Sequence, residues 1–156
     1  MNTNPKPIPE GYHTATPSLN IRGAADAITF YRRAFNATEL FRVASPDGKI
    51  LHAEIKIGNS VIILNDEFAE WGSLSPEALG GSPIMVRLYV PDVDAVFAQA
   101  LAAGATVLSP VANQFWGDRS GIVKDPFGHR WGIASHVEDV PPDEVARRAS
   151  VFTVAG

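Results

Sequence analysis

One local pattern runs through this chain twice, and a repeat of that size means two like units sharing or abutting a core. Ala37-Thr38-Glu39-Leu40 and Ala105-Thr106-Val107-Leu108 lie 68 residues apart, each directly after a run of helical periodicity. In the first copy, Ala24, Ala27, Ile28, Tyr31 and Phe35 recur at i, i+3, i+4, i+7 and i+11, which predicts an amphipathic helix. In the second, Val93 to Ala103 repeats small and apolar residues at helical spacing, with Asp92 as N-cap and Gly104 as C-cap.

Strands flank each helix. Gly11 to Ile21 alternates Thr14, Thr16 and Ser18 against Ala15 and Leu19, which predicts a strand with one polar face. Leu40 to Ala44 and Lys49 to Ile57 form a hairpin about the Ser45-Pro46-Asp47-Gly48 turn, and Gly58-Asn59 turns the chain into Ser60 to Asn65. Ile84 to Val90, a strand beginning at Val107, Phe115 to Lys124 and His129 to His136 repeat that order, with Asp125-Pro126-Phe127-Gly128 as the last turn. The expected organisation is one domain over 11–137, made of module 1 (11–66) and module 2 (84–137). A linker over 67–83 joins them, and a tail over 138–156 carries a short helical run, Glu144 to Ala149.

Composition narrows the function. With no cysteine among 156 residues, thiolate catalysis, disulfide scaffolds and cysteine-ligated metal sites are excluded. The net charge is -4 and the 13 Lys and Arg residues are scattered, so no nucleic acid partner is expected. The longest aliphatic run, Val61 to Leu64, falls far short of the roughly 20 residues a membrane helix needs. The polar, proline-containing start lacks the layout of a secretory signal, so the expected location is cytoplasmic.

Ala27-Ile28-Thr29-Phe30-Tyr31 with Ala34-Phe35, Val90-Pro91-Asp92-Val93-Asp94-Ala95, and Asp125-Pro126-Phe127-Gly128-His129-Arg130-Trp131 together resemble the vicinal oxygen chelate superfamily. That superfamily includes glyoxalase I, extradiol dioxygenases, fosfomycin resistance enzymes and bleomycin resistance proteins. The resemblance covers Tyr12 to about Val137 and implies an α+β fold of two βαβββ modules forming a half-open, curled mixed sheet. It also implies a homodimer, and a metal held by one side chain from the first and last strand of each module. Counted from the matching motifs, those four places fall on Thr16, Ile63, Met85 and Gly132, a set with no useful donor for a divalent ion. No metal and no cofactor are therefore expected.

If helices cover the more apolar sheet faces, Thr14, Thr16, His52, Glu54, Ile63, Asn65, Met85, Arg87 and Tyr89 point into the concavity. Leu51, Ala53, Ile55, Ile62, Leu64, Val86 and Leu88 then lie under the helices, and Trp116 and Arg119 rim the site. His52 and Glu54, at i and i+2 on one face, form either an acid/base pair or a solvated strand face. Arg87 either clamps an anionic ligand group or pairs Glu54. His13, His129 and His136 read as surface or capping residues.

Three functions compete on these residues. The first is a metal-free protein holding an aromatic or amphipathic small molecule between the modules. The second is a glyoxalase-like lyase or isomerase, or a dioxygenase-type enzyme, using His52 and Glu54 as acid and base or as atypical metal ligands. The third is a dimerising or docking domain with a vestigial pocket.

Overall fold

The computed structural model describes residues 4–152, so the first three residues and the last four of the expected tail lie outside the described residues. Each module contributes one four-stranded mixed sheet. The first has order β1-β4-β3-β2, with β1 (Ser18–Ile21), β2 (Thr38–Ala44), β3 (Ile50–Ile57) and β4 (Ser60–Asp66). The second has order β5-β8-β7-β6, with β5 (Met85–Tyr89), β6 (Thr106–Asn113), β7 (Asp118–Lys124) and β8 (Arg130–His136). In both sheets the first strand runs parallel to the last and the remaining pairs are antiparallel. Neither sheet closes into a barrel.

Helices α1 (Ala24–Phe35) and α3 (Val93–Ala103) follow the first strand of each module, pack on their own sheet and meet each other. The end of each module's last strand anchors its helix start. Asp66 Oδ1 accepts the Gly23 and Ala24 amides at 3.0 Å each, and Ser135 Oγ accepts the Val93 amide at 3.0 Å. Asp92 caps α3 through the Ala95 amide and Gly104 ends it, as the sequence predicts. Between the modules, a short 3-10 turn (Ala69–Trp71) and α2 (Pro76–Leu79) occupy the expected linker. In the tail, α4 spans Pro142–Ser150.

Two expectations are corrected. The strand expected from Gly11 begins only at Ser18, so Thr14 and Thr16 lie on an irregular segment. Pro17 explains the boundary: its carbonyl accepts the Ile63 amide at 2.9 Å, but it has no N–H to extend the ladder. Leu51, expected beneath a helix, is exposed, and Ile50 is buried instead. The β2–β3 register slips between Val43↔His52 and Ala44↔Ile50, and a bulge of this kind reverses the inward and outward faces beyond it.

Candidate functional site

Burial on alternate residues identifies the helix-covered face of each sheet: Ala53, Ile55, Ile62 and Leu64 in module 1, and Leu88, Val123, Trp131 and Ile133 in module 2. The open face of module 1 carries His52, Glu54, Ile63 and Asn65. His52 Nε2 lies 2.9 Å from Glu54 Oε1, and the Tyr12 hydroxyl donates to Glu54 from the irregular segment before β1. The His52 hydrogen bond, with that of Tyr12, holds the Glu54 carboxyl below its usual range. Burial and the bond to Glu54 push the Tyr12 phenol up to about 12. Tyr12 escapes sequence reasoning because it belongs to no periodic element; only the late start of β1 lets its segment reach Glu54. Asn65 Nδ2 donates to Asn20 Oδ1 at 3.1 Å and to the Asp66 carbonyl at 2.8 Å, so its amide is already engaged.

The open face of module 2 carries a second polar cluster. Asp118, buried at the start of β7, accepts from the Tyr89 hydroxyl (2.8 Å) and Trp116 Nε1 (3.1 Å), and lies 2.9 Å from His136 Nδ1. His136 Nε2 reaches Asp139 at 2.7 Å. Burial pushes the Asp118 carboxyl up, but the bonds from His136, Tyr89 and Trp116 together hold it below its usual range. Hydrogen bonds to Asp118 and Asp139 raise the His136 imidazole above its ordinary value. The turn residues around Asp118 hide this role in the sequence, since β7 begins at Asp118 rather than at Phe115. Arg119, the next residue, points to the opposite face, where its guanidinium grips Asp94 of α3 through two 2.8 Å bonds.

Three cavities lie along the seam. The largest, about 800 Å³, is walled by Phe35, Lys56 and Asn59 from module 1 and by Arg87, Tyr89 and Val96 from module 2. A smaller one of about 220 Å³ is lined by His13, Thr16, Ser60 and Arg87. A third of about 250 Å³ lies between β1, α2 and the start of β5, beside His129 and Arg130. Of the expected site residues, Arg87 and Tyr89 therefore share the main cavity, and Arg87 and Thr16 share the small one. His52, Glu54, Thr14, Ile63, Asn65, Met85, Trp116 and Arg119 line none of the three. Arg87 does not pair Glu54, which His52 and Tyr12 engage.

The four places that the resemblance marks for a metal do not fit one. Thr16 donates back to the His13 carbonyl at 3.4 Å, Ile63 offers hydrocarbon, Met85 only a thioether, and Gly132 no side chain. A Cβ built on Gly132 would stand 3.1 Å from Met85 Sδ and 3.5 Å from Arg87 Cζ, so those two side chains use the space left there. Among the described residues, no three His, Cys, Asp or Glu side chains are grouped to hold a metal ion.

Known proteins can be set beside this geometry. The family model described as Glyoxalase/Bleomycin resistance protein/Dioxygenase superfamily matches residues 12–133. An uncharacterised protein of Mycobacterium tuberculosis is 47% identical over 133 residues, covering 83% of this chain and 78% of its own length. The X-ray structure of an Arabidopsis thaliana gene product superposes with a TM-score of 0.63 at 28% identity, over 79% of this chain and 98% of that one. TioX from Micromonospora sp. ML1 does so with a TM-score of 0.62 at 25% identity, over 83% and 100%.

Proposed function

We propose that this chain, which belongs to the glyoxalase/bleomycin resistance protein/dioxygenase superfamily, holds an aromatic or amphipathic small molecule between its modules without a bound metal ion. The observation that carries this reading is the pairing of a roomy two-module cavity, bordered by Arg87, Tyr89 and apolar side chains, with donor-poor residues at the metal positions. The volume suits a drug-sized ligand. Tyr89 supplies the aromatic edge of the cavity from module 2, its hydroxyl fixed by the bond to Asp118. We propose a cytoplasmic protein; among the described residues no helix is long and apolar enough to cross a membrane. A homodimer accounts for the apolar side chains exposed on the outer strands, Leu40, Phe41 and Val43 on β2 and Val107 and Leu108 on β6.

The test pairs thermal shift with metal analysis. A ligand that occupies the cavity at 100 times its Kd stabilises the fold by about 2.7 kcal/mol, or roughly 5–10 °C for a chain of this size, and is recovered unchanged. Soaking in Zn²⁺, Ni²⁺, Mn²⁺ or Fe²⁺ followed by desalting leaves no stoichiometric metal by plasma mass spectrometry and no shift in Tm. Near-stoichiometric metal with a raised Tm overturns the metal-free reading.

A second reading has its own observation, the 2.9 Å contact between His52 and Glu54 with Tyr12 beside them. These groups can pass a proton in an isomerisation or elimination on the open face of module 1. Turnover of a superfamily-type substrate that His52→Ala abolishes favours this reading; binding that survives His52→Ala without turnover favours the first.

A further inference from the structure

The main cavity contains Lys56 from β3 and Arg87 from β5, and no Asp or Glu lines it. In a chain with a net charge of -4, that local excess of positive charge runs against the composition. Most other cations are neutralised: Lys6, Arg22, Arg32, Arg42, Arg119, Arg147 and Arg148 all sit in ion pairs. Lys56 and Arg87 form no ion pair or side-chain hydrogen bond among the described residues.

The sheet register locates one of the two. Arg87 and Gly132 are register partners on β5 and β8, and a Cβ at 132 would stand 3.5 Å from Arg87 Cζ. That is ordinary van der Waals contact, so the guanidinium lies over β8 within reach of the seam, and the crowding at 132 falls on Met85 Sδ at 3.1 Å instead. Lys56 approaches from the other module, next to Ile57 and the Gly58-Asn59 turn. The rest of the lining is mostly apolar, with Phe35, Ile57, Leu88 and Val96 beside the uncharged Asn36 and Thr38. Two unpaired cations facing an apolar wall select a ligand with an anionic head and an apolar body, and the planar guanidinium binds two oxygens of an oxyanion at once.

We infer that the inter-module cavity takes a small molecule carrying a carboxylate, phosphate or sulfonate on an aromatic or aliphatic body, with Arg87 and Lys56 closing on the anion from the two modules. This rests on the reading that the cavity holds a small molecule, and the experiment separates the two claims. Two fluorescent probes differ by the charged group alone: 1-anilinonaphthalene-8-sulfonate and the neutral N-phenyl-1-naphthylamine. Both are titrated into the full-length protein at low salt, with emission as the readout.

The expected result is that the sulfonate binds about tenfold more tightly than the neutral probe, the scale of a hydrogen-bonded charge contact. Arg87→Gln and Lys56→Gln each erode that preference, the double variant removes it, and the neutral probe is unaffected throughout. Arg87→Lys restores part of the preference, which separates lost charge from lost folding, and Arg33→Gln, outside the cavity, leaves it intact. Raising the salt weakens only the sulfonate. Equal binding of both probes, or a sulfonate preference that survives the double variant, overturns the anion claim while the pocket stands. Binding of neither probe overturns the pocket reading and the anion claim with it.

Discussion

At the scale of single residues, Asp125 shows how one carboxylate can organise two modules. It is buried; its Oδ1 accepts the Phe127 and His129 amides at 2.9 Å each, and its Oδ2 accepts the Tyr31 hydroxyl at 2.6 Å and Trp131 Nε1 at 2.9 Å. Two of those bonds shape the β7–β8 turn and one reaches a helix of the other module. Burial, with the Asp125 charge, pushes the Tyr31 phenol well above its ordinary value, so it stays a donor at any ordinary pH. Asp125→Ala would strand a buried hydroxyl and a buried indole N–H, and should cost about 3–5 kcal/mol in urea denaturation. Tyr31→Phe should cost about 1–2 kcal/mol, and a double-mutant cycle should show coupling between the sites. Strictly additive losses would mean that the contact is incidental. From sequence, Asp125 reads only as turn chemistry, because its partner Tyr31 is 94 residues away and no local pattern links them.

Elements with caps, turns and clean periodicity were legible, and those whose boundaries depend on pairing partners were not. Helices 24–35 and 93–103 emerge as expected because their apolar spacing and, for the second, its caps are local signals. The start of β1 was misread although Pro17, which has no N–H for the ladder, marks it locally, and the Leu51 face was misread because a strand bulge, a tertiary fact, decides it. The tail is a third case: its helical run is local, but its docking is not. The Val137 and Glu138 amides both donate to the Gly117 carbonyl, Arg148 bonds Glu138, Glu144 and the Phe115 carbonyl, and Phe152 meets the Phe115 ring. Gly117 has φ +105, and a Cβ there would collide with the Glu138 carbonyl oxygen, so Gly117→Ala should release the tail. His136 gives the docking a pH dependence. Its raised value means that its contribution is whole below about 6.5, the unfolded value, and is lost as pH rises through the folded one. Glu144, held down to about 2 by Arg147 and Arg148, keeps its full share above 4.5, the unfolded value, and loses it only as pH falls from there toward 2. Limited proteolysis should therefore nick residues 137–150 faster at pH 8.5 than at pH 6, and His136→Gln should flatten the difference. A wild-type rate that does not change with pH removes His136 from the docking.

For the whole molecule, the duplication raises the question of whether the two copies behave as one. Each sheet has its own helix, which would permit independent units. Yet α1 and α3 pack on each other, Gln99 Nε2 donates to the Arg33 carbonyl at 2.7 Å and to Asn36 Oδ1 at 3.0 Å, and His129 Nε2 lies 2.9 Å from the Asn20 carbonyl. Buried side chains of both modules form one continuous cluster, from Ile28, Tyr31 and Phe35 to Phe97 and Trp131, with Tyr31 and Phe35 both in ring contact with Trp131. Opening either module would expose the face of that cluster it covers and break the Tyr31 to Asp125 bond, so an intermediate with one module folded gains little to offset its exposed surface. Unfolding should then be a single transition, with the fluorescence of Trp131 in a Trp71→Phe, Trp116→Phe variant, which reports on module 2, tracking the far-ultraviolet circular dichroism of both modules. If the exposed apolar strands β2 and β6 meet a second copy, mass action adds that the midpoint rises with protein concentration. Two resolved transitions would mean that the modules are energetically separate despite their shared core. One transition independent of concentration would keep the coupled modules and overturn the dimer.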